Sequence, residues 1–365
     1  MKGYLVRLRS DQFIFQSIFP IQPILVCSIG CAAARLLVWL LQRGTTMRKT
    51  IYRCWMICFA LQVSGQTATP PVQPRIVPVP TLVEVRSGEI AYDLSASDFS
   101  IKDDGVEQQV QLGDTDWQPR SLLLVVQTGR NASAQLGKIE HLDNLLDTIL
   151  TGPADQVGIL TFDSRPHVLQ DFTANSDAVS HSLASISPGD MGAALFDALH
   201  AAVAMFDKVP AANHRVIILI SGEHDHGSIA SRAAPLIRNI ALADLSVYGL
   251  TFTAPRKELL GRLSSINPLV MTASAMQKNA VEALAQLTGG DFYRFDTERS
   301  FEDRVGEMAN HIHNSYSLTF QPRDPAPGFH SLQVGVRRSK TTIIAARSGY
   351  WFSAEVDSNS EAKPQ

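Results

Sequence analysis

The sequence predicts an α/β fold, a Rossmann-like, doubly wound and mostly parallel sheet flanked by small β-modules. Three observations predict it. From residue 121 onward, uninterrupted aliphatic runs at 122–126, 157–162 and 216–220 read as strands covered on both faces. Between them lie stretches of helical periodicity, such as Ile139, Leu142, Leu145, Leu146 and Ile149 on one face. Strands alternating with helices imply a parallel sheet with right-handed crossovers. On either side, short runs split by turn signals read as antiparallel strands.

The elements follow in order. Residues 66–80 are rich in Thr, Gln and Pro and read as an extended linker. Strand-like runs at 81–85, 91–94, 99–102 and 108–112, broken by Asp103-Asp104-Gly105, make a β-module over 81–118. The α/β domain spans 120–313. After the strand at 122–126 it predicts a helix at 136–150, a strand at 157–162, a helix at 193–206 and a strand at 216–220. A helix at 229–243, a strand at 246–252 and further alternation at 281–287, 291–295 and 301–313 complete it. Runs at 316–320, 331–336 and 341–346 form a second β-module over 315–352, and 353–365 is a polar, disordered tail.

The first 65 residues carry an address. A basic stretch, Met47 to Arg53, precedes the short apolar run from Cys54 to Leu61, and Val63-Ser64-Gly65 supplies small residues for cleavage. That order is a secretory signal peptide at 47–65, with 1–46 an extension upstream of the true start. The rival is a membrane anchor at 21–41, but Arg35 inside it would cost about 2.5–3.5 kcal/mol. The expected protein is therefore exported, periplasmic or secreted, with no stable membrane anchor after cleavage. Cys27, Cys31, Cys54 and Cys58 all fall in this leader, among apolar neighbours where Cys acts as a small hydrophobe. The rest of the chain has neither disulfides nor a thiol nucleophile.

Charge narrows the partners. The whole chain carries −3, but residues 1–65 hold eight Lys/Arg and one Asp/Glu, so the remainder is near −10. That excludes nucleic acid and anionic membrane surfaces as natural partners. Catalysis finds little support. No nucleophile elbow, phosphate-cradling loop or Gly-rich dinucleotide turn follows any strand. Phe162-Asp163-Ser164-Arg165 reads as a turn. The one cluster with ligand chemistry is Glu223, His224, Asp225 and His226, placed after a buried strand where α/β sheets bind ligands. It offers a transition-metal site as one reading and a solvated loop, with Ser228 capping the next helix, as the other.

The order of these segments resembles the von Willebrand factor A domain. The resemblance lies in Leu122-Leu123-Leu124-Val125-Val126, Val157 to Phe162, Gly192 to Leu199, and Val216 to Ser221. Flanking pieces are similar to those of a group of exported proteins found chiefly in acidobacteria. These pieces are Asp98-Phe99 to Asp104-Gly105, Tyr316-Ser317-Leu318-Thr319-Phe320 and Arg347-Ser348-Gly349-Tyr350. The resemblance covers roughly residues 80–352. It implies adhesion or assembly through a metal-ion-dependent site built from Asp-x-Ser-x-Ser, a Thr and a second Asp.

At the matching positions this chain has Gln127, Gly129, Asn131, Ala193 and Gly222, with Arg130 in the same loop. The carboxylates a hard cation needs are gone, and a one-residue shift would bring in only Thr128. The expectation is an exported, non-catalytic interaction module without metal or cofactor, whose partner is an unidentified protein. Two alternatives stand beside it. One is a structural envelope protein with an inert A-like domain. The other is a metal-dependent hydrolase using the loop from Glu223 to His226.

Overall fold

The computed structural model describes residues 75–113, 118–139, 142–252, 268–323 and 325–353. The expected signal peptide at 47–65, the expected upstream extension at 1–46, the expected tail beyond 353 and most of the expected linker lie outside them. Among the described residues no helix is long and apolar enough to cross a membrane.

A six-stranded sheet forms the centre. Its strands are β5 (Arg120–Gln127), β6 (Gln156–Phe162), β7 (Pro166–Thr173), β8 (His214–Ser221), β9 (Ser246–Thr251) and β10 (Phe292–Arg294). Their spatial order is β10-β9-β8-β5-β6-β7. All neighbours run parallel except β7, an antiparallel edge strand. β5 shows why the aliphatic run predicts this. Leu123 and Val125 enter one core with Leu195, Leu199, Leu236 and Leu284, whereas Leu122, Leu124 and Val126 enter the other with Ile139, Phe301 and Met308. A strand with period-2 side chains and helices on both faces must be apolar at every position.

The helices on one face are α3 (Leu195–Met205), α4 (Ala233–Leu242), α5 (Pro268–Lys278) and α6 (Ala280–Thr288). On the other face lie α1 (Leu142–Ile149), α2 (Ser176–Ala184) and α7 (Glu298–Asn314). The expected helix at 136–150 is instead a 3-10 segment, Arg130–Ile139, followed by α1. Apolar spacing marks the buried face but does not separate the two helical pitches. The strand β7 and the helices α2 and α5 were not expected. β7 has no buried residue, and such an edge strand lacks the continuous apolar signature of its neighbours. Ser228 does not cap α4. The N-cap is Arg232, and Ser228 Oγ donates to Asp225 Oδ1 at 2.5 Å.

The flanking segments pair with one another. β1 (Val77–Val85), β2 (Phe99–Asp103), β3 (Val106–Gln108) and β4 (Gln111–Leu112) precede the central sheet. β11 (Tyr316–Phe320), β12 (Gly328–Val336), β13 (Thr341–Ala346) and β14 (Gly349–Phe352) follow it. They make two mixed-origin sheets, β13-β1-β11-β4 and β14-β12-β2-β3. One apolar core lies between them, built on Val79, Val83, Phe99, Ile101, Leu318, Phe320 and Tyr350. A segment of a few short strands buries too little apolar area alone, so the two halves complete one unit. β1 begins at Val77, inside the expected linker. Pro78 and Pro80 are tolerated because that half of β1 pairs with β11 alone, β13 joining only from Thr81.

Candidate functional site

Three turns meet above the carboxyl ends of β5, β6 and β8. After β5 the backbone N–H groups of Thr128 and Gly129 donate to Phe162 O at 2.8 and 3.4 Å. Arg130 N donates to Asp190 O at 2.8 Å, and Gly189 N to Thr128 O at 3.0 Å. Gly129 leaves no room for a side chain, because a Cβ there would stand 2.2 Å from Gly192 O and 2.7 Å from Asp163 Cβ. Arg130 has a φ of 54°, a left-handed conformation that costs a non-glycine residue about 1 kcal/mol or more.

Gln127 closes the first turn onto the third. Its side chain is buried, with Nε2 donating to Gly129 O at 3.1 Å and Oε1 accepting from Gly222 N at 2.9 Å. Both ends of the amide are thus committed to backbone, each bond worth about 1 kcal/mol net. Thr128 is also buried, its hydroxyl donating to Phe162 O at 3.2 Å. Ala193 lies buried in a backbone bridge with His226, with N···O distances of 2.9 and 2.8 Å.

The nearby carboxylates are also engaged. Asp163 Oδ1 accepts from Arg165 N at 3.2 Å and faces His167 Nε2 at 3.0 Å, while Oδ2 accepts from Asp190 N at 3.3 Å. Burial pushes this carboxyl up, but the His167, Asp190 and Arg165 bonds outweigh it and hold it below the usual range. Asp190 binds the Ser164 hydroxyl and the N–H of Gly192 at 2.7 Å, which hold it low as well. Glu223 Oε1 accepts from Arg294 Nε at 2.8 Å. Asp225 Oδ1 takes Phe196 N at 3.1 Å together with the Ser228 hydroxyl. The two acids of this loop are therefore turned to different partners, while the rings of His224 and His226 lie 6.2 Å apart between centroids.

A cavity of about 460 Å³ opens beside these turns. Of the residues expected at a site, Gln127, Arg130, Asn131, Gly222, Glu223, His224 and His226 line it, and Gly129, Ala193 and Asp225 do not. Ala134, Gln135 and Phe252 complete the lining and carry no sequence signal that could have found them. Arg130 is exposed, and its guanidinium makes no hydrogen bond or ion pair among the described residues. Burial, then the Arg130 charge and then His224 lower the pKa of His226, so its ring stays neutral to lower pH than usual. The cavity thus presents one permanent cation and two imidazoles against a Glu223 already paired with Arg294.

The description "von Willebrand factor type A domain" matches residues 125–224, the stretch from β5 through β8 to the Glu223-His224 turn. The central sheet and its helices have a von Willebrand factor A-like α/β fold. No curated protein matches it. Among solved structures, the chain is similar to a conserved hypothetical protein, BatB, from Bacteroides thetaiotaomicron. The identity is 18%, the match covers 53% of this chain and 98% of that one, and the TM-score is 0.38. An aerotolerance-related membrane protein from Bacteroides fragilis matches at 17% identity, over 52% of this chain and 98% of that one, with a TM-score of 0.37. Proximal thread matrix protein 1 from the mussel byssus matches at 12% identity, over 58% and 50%, with a TM-score of 0.41. In this A domain the turns after β5 and β8 and the turn before α3 stand where the sequence resemblance places its adhesion site. The six positions Gln127, Gly129, Arg130, Asn131, Ala193 and Gly222 carry no carboxylate.

Proposed function

We propose that this A-related protein is an exported, non-catalytic protein-interaction module that meets its partner at this face without a bridging cation. The observation that carries the reading is the Gln127 amide. It stands where the resemblance has a charged ligand, and it spends its oxygen on Gly222 N and its nitrogen on Gly129 O. A hard divalent cation needs carboxylate charge and free oxygens. These positions offer no carboxylate and, with the Gln127 oxygen committed, a single amide oxygen on Asn131, so the donor set does not fit the ion. The exposed Arg130 guanidinium instead stands ready to meet a partner's carboxylate directly. Met191 and Ile229, 81% and 85% exposed on the adjoining turns, add apolar contact area. The pairing of Glu223 with Arg294, and of Asp225 with Phe196 N, leaves the loop's acids without a free role in hydrolysis. Export rests on the basic, apolar, small-residue order of residues 47–65.

The test uses a photo-crosslinker at Asn131 in the full chain, in its native host, with and without EDTA. One defined adduct, unchanged by EDTA and reduced at least tenfold by Arg130→Glu, is the expected result. An adduct that disappears with EDTA and returns with Mg²⁺ would sink the cation-independent reading.

A further inference from the structure

On the sheet β14-β12-β2-β3, away from the turns described above, Asp103, Asp104 and His330 bring one ligand atom each within 4.8 Å of one another. They converge because Asp103 ends β2, Asp104 opens the turn to β3, and His330 lies on β12, the strand paired with β2. The Asp104 N–H donates to Ser331 O at 2.9 Å, which pins the turn to β12.

Each of the three side chains has its outer atom already held. Asp103 Oδ2 accepts from the Tyr350 hydroxyl at 2.8 Å. Asp104 Oδ1 accepts from Ser331 N and Ser331 Oγ, both at 2.9 Å. His330 Nε2 lies 2.7 Å from Ala326 O, and since a carbonyl can only accept, Nε2 carries the proton. The ring is further fixed by stacking on Tyr350 at 5.0 Å between centroids. What remains is Asp103 Oδ1, Asp104 Oδ2 and His330 Nδ1, all turned inward. Nδ1 lies 3.4 Å from the first and 2.9 Å from the second.

Asp103 is 93% buried and its Oδ1 has no hydrogen-bond partner. A buried, unpartnered carboxylate oxygen costs several kcal/mol unless a cation meets it. With Nε2–H given to Ala326, neutral His330 would aim a lone pair at two carboxylates. A cation between the three atoms resolves that arrangement for all three at once, whereas a single proton, on the ring or on one carboxyl, would lie between only two of them.

We infer that Asp103, Asp104 and His330 form a site for one divalent transition ion, with Zn²⁺ the best fit. The donors are one imidazole nitrogen and two carboxylate oxygens, a mixed set that suits zinc. The separations of Nδ1 from Asp103 Oδ1 and Asp104 Oδ2, 3.4 and 2.9 Å, lie on either side of the ~3.3 Å edge of a tetrahedron with bonds of ~2.0–2.1 Å. The Tyr350, Ser331 and Ala326 bonds are the outer contacts that orient metal ligands in known sites. Asp104 is half-exposed, which leaves an entry path and a fourth position for water. The ion would tie β2 to β12, strands that come from opposite ends of the chain.

The test is calorimetric titration of Zn²⁺ into the EDTA-stripped full chain, carried on a tag without histidine, beside Asp104→Asn, His330→Gln and Glu223→Gln. The wild type should bind one more equivalent than Asp104→Asn, whatever the four cysteines of residues 1–58 hold. That equivalent should weaken at least tenfold in His330→Gln and be unchanged in Glu223→Gln. Asp104 is half-exposed, so its variant folds and decides the matter if His330→Gln does not. Equal stoichiometry and affinity in wild type and Asp104→Asn would overturn the assignment. So would ¹⁵N shifts showing His330 doubly protonated at neutral pH and indifferent to Zn²⁺. Neither outcome bears on the A-domain face, which Glu223→Gln and EDTA probe separately.

Discussion

His214 opens β8 directly beside Arg120 of β5 in the parallel register. Burial, reinforced by the Arg120 charge, lowers its pKa from 6.5 to about 4. A folded-state pKa below the unfolded one means the unfolded chain takes up the proton first as pH falls. Stability is therefore intact above pH 6.5 and is lost progressively between about 6.5 and 4, on the order of 2 kcal/mol for this residue. Thermal melts at pH 7, 5.5 and 4.5 should show a steeper decline in the wild type than in His214→Gln. Parallel declines would show that His214 does not contribute. Gln127 makes the complementary point about single residues. Its identity is plain in the sequence, but the bond from Gly222 N to its amide oxygen spans 95 positions.

At the scale of elements, the turns above the sheet behave as an interlocked set. Gly129 packs on Gly192 O and Asp163, while Asp190 binds Ser164 and Gly192. None of these turns can move without the others, because the closest contacts are backbone to backbone. Gly129→Ala would place a methyl group 2.2 Å from Gly192 O, and we expect a loss of about 3 kcal/mol in denaturant unfolding. A loss under 0.5 kcal/mol would mean that the turns yield. The strands β5, β6 and β8 were legible because full burial writes an aliphatic run into the sequence. β7 was not, since an edge strand half-exposed along its length has no such run. The motif Arg347-Ser348-Gly349-Tyr350 was legible as a resemblance, yet its work is structural. Arg347 is buried and bonds Gly349 O, Pro78 O, Ala241 O and Asp244.

Across the whole molecule, that arginine is the joint between the β-unit and the A domain. Its guanidinium reaches Pro78 of β1 on one side and Asp244, just after α4, on the other. Arg75 adds a second ion pair to the same Asp244 at 2.9 Å. Removing Arg347 takes the donor from two buried carbonyls and one partly buried one, and breaks a partly buried ion pair. Arg347→Ala should cost about 3 kcal/mol and split the thermal transition in calorimetry into two. A single, unshifted transition would show that the two units do not communicate through it. The inferred ion at Asp103, Asp104 and His330 lies within the β-unit, so once Arg347→Ala has separated the two transitions its loss should lower the β-unit transition alone.

The sequence by itself determined the alternation of buried strands and helices, and with it the central sheet. It also determined which residue types occupy the turns after β5 and β8. Those properties are local, because burial on two faces or one leaves its period in consecutive residues. Tertiary structure alone decided that the segments before and after the sheet share two sheets, with Val77 opposite Phe320 and Asp103 opposite Leu332. It alone decided that Gln127 spans two turns and that Asp103, Asp104 and His330 converge. These are contacts between residues up to more than two hundred positions apart. Each partner's local sequence looks the same whether or not the other arrives, so nothing along the chain could announce them.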